Sequence, residues 1–467
     1  MTTLVWFRQD LRLADNPALD AATQRDGPII PIYIWSPEDE GDWPPGAASR
    51  WWLHNSLAAL DATLRKRGSR LTLAKGPTTK ALSALVAQTN ATAVYWNRRY
   101  EPAARACSDA VERALTALPR GRERVKARDG APGVEAQSFN SALLAEPHEI
   151  LNQSGQPYRV YTPYMRRMLH DLDPPRPLAA PKTIRAPHSW PKSLALDDLG
   201  LMPSIEWYTT MAKIWQPGEE GARKRLDQFL KHTLADYTRS REHPAGAGTS
   251  RLSPHLHCGE IGPRQLWHAL GAQGRSSQFL REVIWREFAY HLLYHYPETT
   301  TQPMRAEFAR FPWKKSARLL RAWQRGRTGV PMVDAGMREL WATGVMHNRV
   351  RMIVGSFLVK NLLQPWQDGA RWFWDTLVDA DLAANTMNWQ WVAGSGADAA
   401  PYFRIFNPQT QGERYDPDGA YVRRWLPERA TLRGKQMHAP EDDAIVDLSD
   451  SREAALDAYQ AMRTRAR

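Results

Sequence analysis

Four stretches of the chain concentrate side chains able to do chemistry. In AGAGTSRLSPHLHCGEIGPRQLWHAL, Thr249, Ser250 and Ser253 follow Gly246 and Gly248 at a point where a helix can begin. Free N–H groups and hydroxyls at a helix start bind phosphate, although ordinary N-capping calls for the same residues. In FLREVIWREFAYHLLYHYP, helical spacing puts Glu282, Trp285, Arg286 and Ala289 on one face, with Val283, Phe288 and Tyr290 opposite. A carboxylate beside an indole and a guanidinium on an apolar helix suits polar recognition. A solvated ion-pair face with an exposed Trp accounts for it equally well.

The third stretch is GMRELWATGVMHNRVRMIVGSFLVKNLL. Asn348, Arg351, Met352 and Gly355 form one helical stripe, and Gly355 leaves room for a close approach. The surroundings are apolar, so Asn348 and Arg351 need partners, either a ligand or other side chains. The fourth is WFWDTLVDADLAANTMNWQWVAGSG, where Asp379 and Asp381 precede Asn385, Trp389 and Trp391. Paired carboxylates serve acid–base chemistry or a metal. No His or third carboxylate stands at ligand spacing, so no metal is expected. Asp379 is better placed to neutralise a buried arginine, with Arg351 the candidate.

The elements that must position these residues fall into two kinds. Apolar runs at Leu4–Phe7, Ile29–Trp35, Leu71–Leu73 and Ala93–Trp96 alternate with helical patterns beginning near Asn16-Pro17, Ser49, Thr79 and Ala103. That alternation predicts a parallel, Rossmann-like α/β domain over residues 1–130. Gly is absent before Gly27, so no G-x-G-x-x-G follows the first strand, and a nicotinamide dinucleotide site is disfavoured there. Residues 131–204, rich in Pro, Gly and Ala, read as a connection. Residues 205–467 read as a mostly α-helical domain, in which Gly262-Pro263 opens one helix; the tail after 426 shows no clear pattern.

Lys and Arg exceed Asp and Glu by 62 to 50, a net charge of +12, which favours a polyanionic partner such as nucleic acid. Cys107 and Cys258 are the only cysteines, so neither a disulfide scaffold nor a cysteine zinc site is expected. Arg8, Asp10 and Arg12 interrupt any signal-peptide core, and no apolar run is long enough for a membrane span. A cytoplasmic monomer is the expectation. Of 20 Trp, eleven lie between Trp267 and Trp425. Aromatics at that density fill a core, stack on bases or flavins, or relay electrons.

Together the four stretches resemble the photolyase/cryptochrome family, from LVWFRQDLRLADNPAL to RRWLPE. Within it the chain is most similar to class I cyclobutane pyrimidine dimer photolyases. The resemblance implies an antenna domain, a linker and a helical domain holding FAD in a folded conformation. By motif, Tyr237, Thr249, Ser250, Arg251, Leu252 and Ser253 contact FAD, mainly its phosphates. Phe279 stands beside the flavin where many relatives have Trp. Asp379, Ala380 and Asp381 lie against the flavin and its ribityl side, Arg351 pairs with Asp379, and Asn385 faces flavin N5. Asn at that last position resembles repair enzymes, whereas cryptochromes carry Asp or Cys.

The resemblance further implies a lesion pocket of Glu282, Trp285, Asn348, Met352 and Trp391, which receives a flipped-out dimer. The (6-4) photolyases have two His where this chain has Asn348 and Met352. Arg241, Arg286, Arg349 and Gln411 are expected on UV-damaged DNA, and Trp389, Trp366 and Trp313 match the family's electron relay. The antenna chromophore is expected to be 5,10-methenyltetrahydrofolate, or alternatively an 8-hydroxy-deazaflavin, with Glu101 in WNRRYEP as its contact. The alternative functions are a cryptochrome-like blue-light photoreceptor with weak or no repair, and a (6-4) photolyase. Met387, Asn388 and Val345 depart from many relatives, and bulk at the first two threatens to narrow the pocket.

Overall fold

The computed structural model describes residues 1–118, 133–274, 277–398 and 403–464. Its N-terminal half is a five-stranded, wholly parallel sheet of strands β1 (Thr2–Phe7), β2 (Ile29–Trp35), β3 (Thr72–Lys75), β4 (Ala91–Asn97) and β5 (Glu135–Phe139), in the order β3-β2-β1-β4-β5. Alternation along β1 sends Val5 and Phe7 into a core with Leu19, Leu57 and Leu60. Leu4 and Trp6 enter a second core with Leu82 and Val111 on the other face. Helices cover both faces, as a continuously apolar parallel strand requires. The first of them, Pro17–Thr23, starts where Asn16 Oδ1 accepts from Leu19 N at 3.1 Å with Pro at the first position.

Four strands stand where apolar runs predict them. The fifth, β5, falls in what the sequence reads as connection, so the sheet reaches past residue 130; the boundary itself lies outside the described residues.

The rest of the chain is helical. Three helices build the site: Gln278–His295, Asn348–Ser356 and Leu382–Ala393. The third packs against both of the others. Each begins at a side-chain cap. Ser277 Oγ accepts from Leu280 N, His347 Nδ1 from Arg349 N, and Asp381 Oδ1 from Ala384 N. The tail without a sequence pattern forms a helix, Leu448–Thr464, whose Ala455 and Met462 pack on Phe308, Phe311 and Leu363.

The two halves are bonded directly. Buried Arg12 donates to Gly259 O at 2.9 Å and to Ser141 Oγ at 2.6 Å. Glu260 accepts from Trp52 Nε1 at 3.0 Å and from Gly218 N at 2.7 Å. Gly259 has φ +65°, and the backbone of Gln9 and Asp10 fills the space a Cβ would need. Only glycine satisfies both demands.

Candidate active site

At the floor of the site, Arg351 Nη2 donates to both oxygens of Asp379 at 3.0 and 2.9 Å, and Arg351 Nε donates to Met346 O. Ser253 Oγ donates to Asp379 at 2.6 Å. The pairing expected from burying an arginine among apolar residues is therefore present. Asp381 takes different partners. Tyr290 OH donates to its Oδ2 at 2.5 Å, and His257 Nδ1 stands 3.9 Å away. Burial alone would raise the Asp381 carboxyl, but His257, Arg286 and Tyr290 outweigh it and bring it down to about 2. An anion is thus fixed next to Ala380, which is also buried.

Asn385 stands one turn into the helix that Asp381 caps. Its Nδ2 donates to Ala370 O at 3.0 Å, which orients the amide and leaves Oδ1 without a partner among the described residues. Tyr237 and Phe279 meet edge to face at 5.5 Å, and both are buried.

Residues 249–252 form a loop rather than a helix end, because the helix they precede, Ser253–His257, is short. Ser250 Oγ accepts from Leu252 N, and Arg251 takes the left-handed conformation at φ +52°. The Arg225 guanidinium, 5.8 Å from the Trp215 ring centroid, is lowered by burial first and by the charge of Arg251 second. Neither arginine makes an ion pair among the described residues. Two cations outside any ion pair, beside a loop of hydroxyls and N–H groups, fit a diphosphate. Together with the apolar wall and the open Asn385 amide, they fit FAD. Arg225 escapes sequence reading because its partner comes from a distant loop.

Glu282 and Met352 are brought to one rim. Arg241 Nη1 donates to Glu282 Oε1 at 2.5 Å, Arg349 Nη2 donates to Glu242, and Arg349 Nη1 lies 3.8 Å from Met352 Sδ. Asn348 is exposed one turn before Met352. Trp285 lies flat on Tyr161, with ring centroids 3.5 Å apart and planes at 8°. Trp391 is half-buried on the third helix, where its ring neighbour is Phe406, and Gln411 is half-buried on helix Pro408–Tyr415. Met387 packs between two cores, and exposed Asn388 donates to Ala384 O one turn back.

Two of the expected contact residues are engaged within the chain. Arg286 points inward, donating to Ala142 O at 2.8 Å with its guanidinium 4.7 Å over the Tyr290 ring. Burial opposes its charge, but Tyr290, Asp381 and Glu287 more than restore it. Sharing a helical face with Glu282 does not set its direction; its partners are the Ala142 carbonyl and the Tyr290 ring. Glu101 is buried against Arg99 Nε at 3.3 Å and accepts from Tyr100 N. The nearby cleft is lined by Trp6, Arg8, Tyr33, Trp35, Glu40 and Arg99 and not by Glu101. This cleft opens at the carboxyl ends of β1, β2 and β4, where the strand order reverses. His257 and Cys258, from the helical half, also line it.

Trp389 and Trp366 are buried in one core, and half-exposed Trp313 packs against it.

Residues 3–182 match the family described as DNA photolyase, and residues 279–461 match the FAD binding domain of DNA photolyase. The chain is 46% identical to a deoxyribodipyrimidine photo-lyase of Agrobacterium fabrum over 98% of each chain. The chain belongs to the DNA photolyase family. Its general activity is the light-driven, FAD-dependent repair of pyrimidine dimers. The crystal structure of a bacterial class III photolyase from Agrobacterium tumefaciens superposes at a TM-score of 0.91 with 45% identity, covering 99% of this chain and 98% of that one. The expected class I assignment is therefore corrected: this photolyase resembles class III. The residues behind that expectation describe the flavin and lesion pockets, which a photolyase needs whatever its class. Cryptochrome-2 of Arabidopsis thaliana is 39% identical over 96% of this chain and 74% of its own. Among the described residues, no helix is long and apolar enough to cross a membrane.

Proposed function

We propose that this photolyase repairs cyclobutane dimers, with Glu282, Trp285, Asn348, Met352 and Trp391 holding the extruded lesion. The observation that carries the choice of lesion is His347. A (6-4) lesion calls for an acid at this point of the pocket, and Asn348 and Met352 cannot supply one. His347, next in sequence, has its Nδ1 engaged in the helix cap, and burial above all pushes its imidazole down to about 4. It is neutral near pH 7, and its Nε2 is buried.

FAD, when bound, supplies the photo-excited electron that opens the dimer. The chain's own residues orient and shield. Thr249, Ser250, Arg251 and Arg225 bind the diphosphate, Leu252 and Ser253 continue that wall, and Tyr237 and Phe279 exclude water. Asp379, held by Arg351, and Asp381, held by Tyr290, fix the polar side next to Ala380. Asn385 presents a neutral amide at N5, where a carboxylate would oppose added negative charge. Trp389 and Trp366, both buried, and half-exposed Trp313 suit an electron path from the surface. Arg241, Arg349 and Gln411 contact the DNA backbone or the lesion edge, with salt-dependent affinity.

The cleft at the strand ends suits a planar antenna chromophore between Trp6 and Trp35. Methenyltetrahydrofolate is the first choice and an 8-hydroxy-deazaflavin the second. Absorption spectra of chromophore released from the purified protein identify which is held.

The test of lesion choice uses photoreduced protein and two oligonucleotides, one with a cyclobutane thymine dimer and one with a (6-4) photoproduct. Blue light is expected to consume the first and spare the second, with no loss in the dark. Repair of the (6-4) substrate alone would overturn the reading, and binding without repair of either would favour a photoreceptor.

A further inference from the structure

Both arginines on the rim of the lesion pocket are already engaged. Arg241 donates to Glu282 at 2.5 Å, and its Nε stands 4.0 Å from Glu242. Arg349 donates to the other oxygen of Glu242, and its guanidinium lies 4.3 Å over the Tyr415 ring. Glu282, Arg241, Glu242 and Arg349 thus form one alternating row of charges, and all four side chains are partly open to solvent. One end of the row is the carboxylate that addresses the lesion. The other end is a guanidinium for the DNA backbone.

We propose that Glu242 occupies the place of a DNA phosphate on Arg349 and releases it when the lesion fills the pocket, which makes Glu242 a specificity-determining residue. The proposal rests on reading Arg349 as a DNA contact and Glu282 as the carboxylate that meets the lesion. A dimer that engages Glu282 draws that carboxylate off Arg241. The freed Arg241 turns its charge to Glu242, and Glu242 yields Arg349 to a phosphate. An undamaged duplex leaves Glu282 on Arg241, so Glu242 stays on Arg349 and the backbone grip is one cation weaker.

The test is binding in the dark, with flavin loaded, to the same duplex with and without a cyclobutane dimer, across a salt series. Glu242→Gln is expected to tighten undamaged DNA about three- to tenfold at low salt and to steepen its salt dependence by roughly one phosphate contact. Dimer affinity is expected to change less than about twofold, so discrimination narrows. Equal tightening of both duplexes, or weakening of undamaged DNA, overturns the proposal. Glu242→Asp keeps the charge but draws it back from Arg349; it should shift binding in the same direction, and it serves if the Gln variant does not fold. Arg349→Gln separates the two layers of argument. If it leaves dimer affinity unchanged at low salt, the reading of Arg349 as a DNA contact is what fails. If it weakens binding and abolishes the effect of Glu242→Gln, the coupling runs through Arg349 as stated.

Discussion

Tyr161 covers one face of the Trp285 indole, and its own hydroxyl is tied to Arg281 O at 2.7 Å. Trp285 is therefore held in one orientation with a single face to offer a base. Tyr161→Leu is expected to weaken dimer binding about 3- to 10-fold, the range of an aromatic pair, with a smaller effect on the rate of repair at saturation. Tyr161→Phe keeps the stacked ring and should stay close to the parent; titration of a dimer oligonucleotide distinguishes the two. This contact was not legible in the sequence, because Tyr161 lies far upstream in the presumed connection and no spacing rule links it to Trp285. Arg351 and Asp379 were legible, since charged residues set in apolar runs must find each other. The inward partners of Arg286 were not legible, because spacing gives a helical face and not what packs against it. The pairing of Glu101 with Arg99 was not legible either, because a motif says nothing about which way a carboxylate turns.

Among the elements, the strands buried on both faces announce themselves by composition, whereas β5 does not. Its residues, EAQSF, line the edge of the sheet and carry no apolar alternation. The C-terminal helix was obscure because few of its positions are buried. Helix packing around Trp389 supplies a paired prediction. Gly369 lies so close to the Trp389 ring and Leu358 that a Cβ has no room, whereas a Cβ on Gly355 would meet Val392 at 3.4 Å and Trp389 at 3.6 Å, ordinary contact distances. Gly369→Ala should cost about 1–3 kcal/mol through overpacking. Gly355→Ala should be neutral or gain up to about 1 kcal/mol from helix propensity. Thermal melts of the two variants side by side check this. The close approach expected at Gly355 is that of the helix carrying Asn385.

Across the whole molecule, Glu287 holds the connection to the helical half by accepting from Leu144 N at 2.8 Å, and its Oε1 is buried without a hydrogen-bond partner. Burial, the largest influence, outweighs Arg286 and raises its carboxyl from 4.5 to about 7. Between those values the folded chain keeps a proton that the unfolded chain has released. Stability from this group is complete at the acid end and is lost as pH rises through about 7. Glu287→Gln retains the acceptor and removes the titration. The drop in stability of the parent between pH 5 and 7.5 should shrink in the variant by on the order of 3 kcal/mol, measured by denaturant unfolding at the two pH values.

Residues 251–260 serve three purposes within one short length. Arg251, Leu252 and Ser253 belong to the proposed flavin wall, His257 and Cys258 line the cleft at the strand ends, and Gly259 and Glu260 receive Arg12 and Trp52 from the opposite half. A polypeptide whose halves have never met leaves this length unsupported and has no seat for its pigment. Yellow colour is then a census of joined chains, and the ratio of visible to ultraviolet absorbance counts them in the cuvette before any lesion is added.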